Sequence, residues 1–339
     1  MKTIYKTLFI LSMTTTAFFS ACEKEDVREI TNGRKVTIIP DLTGMYSTSP
    51  GNWSSTRASN HPGLENIINL PEGSTLRLIA TGKQETTIQD YVVRTSEGGS
   101  QSLYPCTVDN NGNITEESKA PLYLSTGSYQ FSAISPAHKY QPGNGITIDN
   151  GESVVATNNR WSETESTSIT ITTEDQSKVI PLNPLIQLTS RMTFTLQGDA
   201  NSGVSSISMM QDGIEISRIR QNAVTLKNVG DSIKAEITNN YSRIYIKESE
   251  MEILNDCKLK GSVYLLPIDN RPTPMTVILN VMVNGVPTQF TFSIVNKILY
   301  AGYSYDYKVS IKIKDNITVA NWQETSWSTE VGGEQTIGQ

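Results

Sequence analysis

The chain has 339 residues and a formal net charge of -6, and charged residues make up only 18% of it. This length allows two domains of ordinary size, and an acidic chain without basic clusters is not expected to bind nucleic acid. The abundance of Thr, Ser, Asn and Gly favours an extracellular β-protein over a helical cytosolic enzyme.

The first 21 residues have the pattern of a secretory signal peptide. Lys2 and Lys6 precede a short apolar run, and Phe19-Ser20-Ala21-Cys22 ends it with small residues and a cysteine. The run is too short and too interrupted to span a membrane. We expect cleavage before Cys22, which leaves this residue at the new N-terminus, where lipid chains can anchor the protein to a membrane. The alternative is a plain cleaved signal followed by an incidental cysteine.

A strand-like piece and a polar loop follow. Val36 and Ile38 alternate with polar neighbours, and Pro40 helps to close the run. Residues 47–60 are small and polar, with Gly and Pro between them, and Arg57 is their only basic residue. We expect this loop to be exposed and open to proteases.

From residue 60 onward the sequence is almost entirely short alternating runs separated by turn residues. This pattern predicts an all-β fold of two tandem β-sandwiches with few short helices. Two prolines in Val179–Pro184 interrupt the strands, so we place the domain boundary there and predict domains at 58–186 and 187–339. Asn284-Gly285 predicts a hairpin turn, and six apolar residues at period two predict a long half-buried strand from Tyr303. Ser249–Glu252 indicates a capping box that opens one short helix.

No catalytic or metal-ligating pattern is present in the sequence. His61 and His138 each lack a second ligand at metal spacing, and the fingerprints of serine hydrolases and nucleotide-binding loops are absent. Asp109–Asn113 lacks the glutamate that would complete a calcium loop and is interpreted as a polar turn. We predict no enzyme activity, no cofactor and no metal. Cys106 and Cys257 are expected to be buried free thiols, with a disulfide between them as the alternative.

The order of these features resembles the fimbrillin family of Bacteroidetes pilins over nearly the whole chain. The segments that carry the resemblance are Phe19–Cys22, Arg34–Ile39, Ser54–Ala58, Ile180–Leu182, Leu188–Phe194, Ala301–Tyr307 and Ile317–Trp322. The acidic cluster Glu23–Asp26 is similar to the surface-export signal of lipoproteins from the same bacteria. The resemblance implies two transthyretin-like sandwiches and a type V pilus subunit that is made as an outer-membrane lipoprotein precursor.

The resemblance also implies a maturation switch. An arginine-specific protease would cut between Arg57 and Ala58 and release the pro-segment 22–57, together with its strand at Val36 and Ile38. The C-terminal segment of another subunit would then fill the groove by β-addition. In this chain its apolar residues are Ile317, Val319 and Trp322.

The implied partners are other fimbrial subunits, the same or related; the protease; the outer membrane, through the lipid before trimming; and a host or bacterial receptor. Stalk, tip and anchor roles remain open at this point. The alternative function is a surface glycan-binding lipoprotein that keeps its N-terminus and uses Trp53 or Trp161 as a platform for sugar rings.

Overall fold

The structure is a computed structural model. It describes residues 35–47, 49–50, 67–117, 120–137, 140–141, 143–157, 168–198, 201–220, 223–227, 229, 233, 241–314, 317–324 and 332–336. These residues belong to one compact unit, Lys35–Gln339. The predicted division into sandwiches at 58–186 and 187–339 stays a prediction.

The described residues are almost entirely β-strands. The strands of the first half are β1 Val36–Leu42, β2 Met45–Tyr46, β3 Ser49–Pro50, β4 Ile67–Ile68, β5 Thr75–Thr81, β6 Thr86–Thr95, β7 Gln101–Val108, β8 Ile114–Glu117, β9 Tyr123–Leu124, β10 Gly127–Ser135, β11 Tyr140–Gln141, β12 Gly145–Ile148, β13 Val155–Ala156, β14 Ile169–Ile171, β15 Ser177–Leu182 and β16 Ile186–Gln187. The strands of the second half are β17 Ser190–Gly198, β18 Ile207–Arg220, β19 Val224–Leu226, β20 Tyr241–Ile246, β21 Glu252–Asn255, β22 Lys258–Leu265, β23 Ile268–Asp269, β24 Met275–Val283, β25 Val286–Ile294, β26 Ile298–Leu299, β27 Tyr303–Lys314, β28 Ile317–Glu324 and β29 Gly332–Thr336. The predicted all-β class is therefore confirmed.

The strands are arranged in several sheets. The larger ones have the orders β16-β13-β10-β5-β6-β7-β8, with β14 beside β10; β21-β22-β17-β27-β28-β29, with β3 beside β27; and β20-β18-β24-β25. The smaller ones are β15-β1-β9, β11-β12-β19, β2-β4 and β23-β26. In the sheet β11-β12-β19, β12 pairs with β19, so strands from the two halves of the chain share one small sheet.

The buried apolar side chains form three clusters. One lies in the first half and includes Val36 and Ile38 of β1, and one lies in the second half around Phe194 and Tyr307. The third cluster contains residues from both halves, among them Ile146 and Leu266. Burial of the alternate face of each strand is what the period-two pattern predicts.

Two sequence predictions are matched closely. β24 and β25 form a regular hairpin at Asn284-Gly285, where both residues have positive φ, 50° and 79°, as a type I′ turn requires. The long apolar run is β27, in which Tyr305, Val309 and Ile311 are fully buried.

Two other predictions need correction. A 3-10 turn at Glu248–Glu250 replaces the predicted short helix, because the chain becomes extended at Met251 and continues into β21. The second correction concerns Pro181, which does not interrupt the strands but lies within β15. It is tolerated there because β15 is the edge strand of its sheet, where a missing N–H costs no ladder hydrogen bond.

Candidate functional site

The first strand, β1, is the middle strand of a sheet whose outer strands come from distant parts of the chain. It runs parallel to β15, with Thr37 to Leu42 opposite Ser177 to Leu182, and antiparallel to β9, with Val36 opposite Leu124. The Ile38 amide donates to the Leu122 carbonyl at 2.8 Å, and the Thr37 amide donates to the Gln176 carbonyl at 3.2 Å. In the described residues β9 and β15 have no other strand partner, so β1 alone holds this sheet together.

The local sequence explains the orientation of β1. Val36 and Ile38 are fully buried in the core of the first half, while Ile39 is 46% exposed on the outer face, opposite the exposed Val179. Burial of an aliphatic side chain contributes about 1.5–3 kcal/mol, so the two inward side chains contribute roughly 3–6 kcal/mol before ordering costs. The predicted strand at Val36 and Ile38 is thus a buried part of the fold.

The walls that receive β1 are themselves apolar and well anchored. Leu122, Leu124, Ile180 and Leu182 are all buried in the same cluster as the inward face of β1. On the β9 side, the Leu122 amide donates to the Tyr91 hydroxyl at 3.4 Å, and burial raises the pKa of Tyr91 to about 12. The groove around β1 is therefore lined by buried core residues, and we call it the β1 slot.

Sequence reasoning missed most of these walls. The sequence does not identify Leu122–Leu124 as a neighbour of β1, and the prolines of Val179–Pro184 predict an interruption. The alternation of Ile180 with Leu182 was a usable signal, because only those two side chains of the segment 179–182 are buried. Their pairing with a strand about 140 residues earlier in the chain leaves no local trace in the sequence.

The proposed donor residues lie in β28, which belongs to the second half. β28 runs antiparallel to β27, with Val319 opposite Lys312 and Ile317 opposite Lys314. Val319 is buried, and the Trp322 ring stacks on Phe292 with centroids 5.2 Å apart. On its other side β28 pairs with β29, the outermost strand of that sheet.

Several predicted site residues lie outside the described residues. These are Cys22, Arg57, Ala58, Trp53, Trp161, His61 and His138. The assignment of lipidation to Cys22 and of cleavage to Arg57 and Ala58 therefore rests on the sequence.

Both described cysteines are free. Cys106 is fully buried, and burial raises the pKa of its thiol to about 11. Cys257 is only half-buried, which corrects the expectation that both thiols are buried, because it follows the exposed edge strand β21 at a surface turn.

The other candidate features of the described residues carry no evident chemistry. Asp109 accepts hydrogen bonds from the Asn111 and Asn113 amides at 2.8 and 2.9 Å, so the loop is closed by its own carboxylate, and the bond from the Asn113 side chain is the main cause that lowers the Asp109 pKa. Within the described ranges, no cluster of three or more His, Cys, Asp or Glu side chains could hold a metal ion. The same ranges contain no helix that is long and apolar enough to span a membrane.

Comparison with known proteins identifies the family. The fimbrillin-like family model matches residues 35–331. A candidate cell adhesion protein from Bacteroides fragilis, known from a crystal structure, is 33% identical, with a TM-score of 0.75 over 88% of this chain and 99% of the other. A fimbrial assembly protein from Parabacteroides distasonis is 10% identical, with a TM-score of 0.41 over 89% of this chain and 99% of the other. No curated protein matches the chain. On the family match and the Bacteroides fragilis likeness, the chain belongs to the fimbrillin-like family.

Proposed function

We propose that the chain is a structural subunit of a cell-surface fimbria that is assembled by donor-strand exchange. The chain belongs to the fimbrillin-like family, and the relative from Bacteroides fragilis is described as a candidate adhesion protein. The observation that carries the proposal is the position of β1. A strand near the N-terminus fills an apolar slot whose two edges have no other strand partner in the described residues.

The slot explains how removal of one segment can start assembly. Loss of β1 would uncover the buried face formed by Leu122, Leu124, Ile180 and Leu182, and it would free backbone groups on both β9 and β15. Apolar surface and unpaired strand edges of this kind are a template for a strand from another chain. A contact between a slot on one subunit and a strand of the next does not close on itself, so it builds a fibre.

The maturation steps are part of the proposal and follow from the sequence. The precursor carries lipid at Cys22 and reaches the outer membrane surface, where an arginine-specific protease cuts between Arg57 and Ala58. The cut separates β1 from the rest of the subunit, because Val36–Leu42 lies entirely before Arg57. The partners are then the protease, the outer membrane before trimming, and neighbouring fimbrial subunits. The two halves of the subunit are proposed to be transthyretin-like sandwiches.

The donor is proposed to come from the C-terminal segment that includes β28. Trp322 is partly buried and packs against the core of the second half, and Val319 is buried. Loss of such apolar contacts lowers stability. Release of β28 would therefore destabilise the donor subunit itself. β29, which follows β28, is the part of this segment that can leave at lower cost, because in the described sheet it pairs only with β28.

Limited proteolysis tests this function. The lipid-free chain is treated with an arginine-specific protease, and the products are analysed by N-terminal mass, by SDS-resistant oligomers and by electron microscopy. We expect a cut before Ala58 followed by oligomers or filaments. Arg57→Lys keeps the charge and removes the cleavage site, so it should block both steps. A cut chain that stays monomeric even at high concentration, with or without related subunits, would contradict the proposal.

A further inference from the structure

The chain continues to pair with the subunit after the end of β1. Three contact regions follow one another along residues 36–50: the β1 slot, the backbone of Leu185, and the start of β27. The first two lie in the first half of the chain, whereas β27 belongs to the large sheet of the second half. Residues 36–50 therefore follow one path over both halves, which we call the strand track.

The second contact region is a set of backbone hydrogen bonds around Leu185. The Leu185 amide donates to the Gly44 carbonyl at 2.9 Å, and the Tyr46 amide donates to the Leu185 carbonyl at 2.8 Å. The Thr43 hydroxyl donates to the Leu182 carbonyl at 2.8 Å. Leu185 is fully buried, so loss of residues 43–46 would leave two backbone groups of a buried residue without these partners, which is unfavourable.

The third contact region is the start of β27, at Tyr303 and Ser304, which β28 does not reach. β17 pairs with one side of β27 from Ser304 onward, and β28 pairs with the other side only from Tyr307 onward. β3 fills the remaining stretch on that second side, with Ser49 opposite Tyr303 and Pro50 opposite Ser304. Removal of the pro-segment would therefore expose an edge in the second half as well as the β1 slot in the first.

Gly44 imposes a requirement on whatever occupies the track. Its φ of 123° is a conformation that side-chain-bearing residues rarely adopt, and an added Cβ would lie 2.6 Å from the carbonyl oxygen of Ile68. That oxygen belongs to β4, which pairs with β2 directly after the glycine. A non-glycine residue at this point would be strained both in its backbone and against β4.

This inference rests on the proposed function. We propose that the incoming strand occupies the whole strand track, which includes the two contact regions beyond the β1 slot. It places a glycine at the position of Gly44. The proposed occupant is residues 325–339 of a second copy of this chain. With Gly333 in place of Gly44, Trp327 takes the position of Ile38 and Val331 takes the position of Leu42.

This register needs no disruption of the second-half core. β28 ends at Glu324, before the proposed donor segment begins, so Val319 and Trp322 keep their packing in the donor subunit. In the described residues, the ladder between β29 and β28 would be given up. The subunit thus keeps its own last core strand and donates the segment that follows it.

The test uses the full lipid-free chain with a site for a sequence-specific protease placed within residues 51–57, so that it does not depend on Arg57 as the natural trigger. After cleavage, labelled peptides compete with the cut segment for the track. The peptides are 36–50, the shortened 36–43, 325–339, 325–339 with Gly333→Ala, and 325–339 with Gly332→Ala as the matched control. Binding is followed by fluorescence anisotropy, and hydrogen exchange is measured at the amides of Leu185 and of residues 303–306.

We expect peptides 36–50 and 325–339 to bind and to protect the Leu185 amide, whereas peptide 36–43 binds without protecting it. Gly333→Ala should weaken binding about tenfold or more, while Gly332→Ala, at the position of Thr43, should have little effect. Equal binding of the two alanine peptides, failure of 325–339 where 36–50 binds, or protection of Leu185 by peptide 36–43 would each overturn the inference. If peptide 36–50 itself does not bind to the cleaved chain, both the proposed function and the inference about the strand track are refuted.

Discussion

Two neighbouring isoleucines of β1 provide a matched test of the slot. Ile38 is fully buried against the first-half core, whereas Ile39, the next residue on the same strand, is 46% exposed. Ile38→Ala removes buried methyl groups and leaves a cavity, which should lower the free energy of unfolding by about 2–5 kcal/mol. Ile39→Ala removes the same atoms from a surface that faces water, so we expect a loss of about 1 kcal/mol or less.

The assay is urea unfolding of the lipid-free precursor, followed by circular dichroism, with the two variants and the parent chain in parallel. After cleavage within residues 51–57, the Ile38→Ala segment should also dissociate faster than the parent segment, and the Ile39→Ala segment should not. If the two alanine variants lose equal stability, or if Ile38→Ala loses less than about 1 kcal/mol, β1 does not fill an apolar slot and the reasoning is refuted.

Other parts of the molecule give further predictions. Asp90 accepts two hydrogen bonds from Arg77 at 2.6 and 2.8 Å in a mostly buried pair. Asp90→Ala should lower the free energy of unfolding in urea by about 3–5 kcal/mol, because it leaves the guanidinium without its counter-charge. An unchanged urea midpoint would contradict this. Burial raises the pKa of Cys106 to about 11, so at pH 8 a thiol reagent should modify a Cys22→Ser chain first at the half-buried Cys257, as read by peptide mass; early modification of Cys106 would disprove it. The hydrogen bonds from Arg271 lower the Asp269 pKa. The stability that they contribute is present above the ordinary carboxyl pKa of about 4 and is lost as pH falls through the lower pKa of the folded state. In Arg271→Gln, the free energy of unfolding should therefore fall less steeply between about pH 5 and 2.

The sequence was most informative where burial alternates along a single strand. The inward faces of β1 and β27 and the hairpin at Asn284-Gly285 could be predicted because a half-buried strand repeats every two residues and a type I′ turn requires particular residues. These signals are local, so they do not depend on knowledge of the neighbouring strands. The family resemblance came from the order of such segments, and the match over residues 35–331 confirms it.

The pairing of distant strands could not be predicted in the same way. β1 pairs in parallel with β15, and β17 pairs in parallel with β27, across more than 100 residues in each case. Period-two alternation shows which face of a strand is buried, but it does not show which strand lies beside it. For this reason the sequence predicts an interruption at Pro181, which lies in an edge strand. The close approach of Gly44 to Ile68 is a property of the backbone geometry and leaves no local pattern in the sequence.

The most direct test of the central claim is a reversible lock on β1. Ile39 and Val179 are paired across the outer face of the sheet, and both are exposed, so Ile39→Cys with Val179→Cys, in a chain without Cys22 and Cys257, should form a disulfide between neighbouring strands. The chain is cleaved within residues 51–57, and its mass in solution is measured by light scattering before and after a reductant is added. We predict monomers while the lock is closed and oligomers after reduction. Oligomers that form equally well with β1 locked in place would contradict the account, because assembly would then not require the β1 slot.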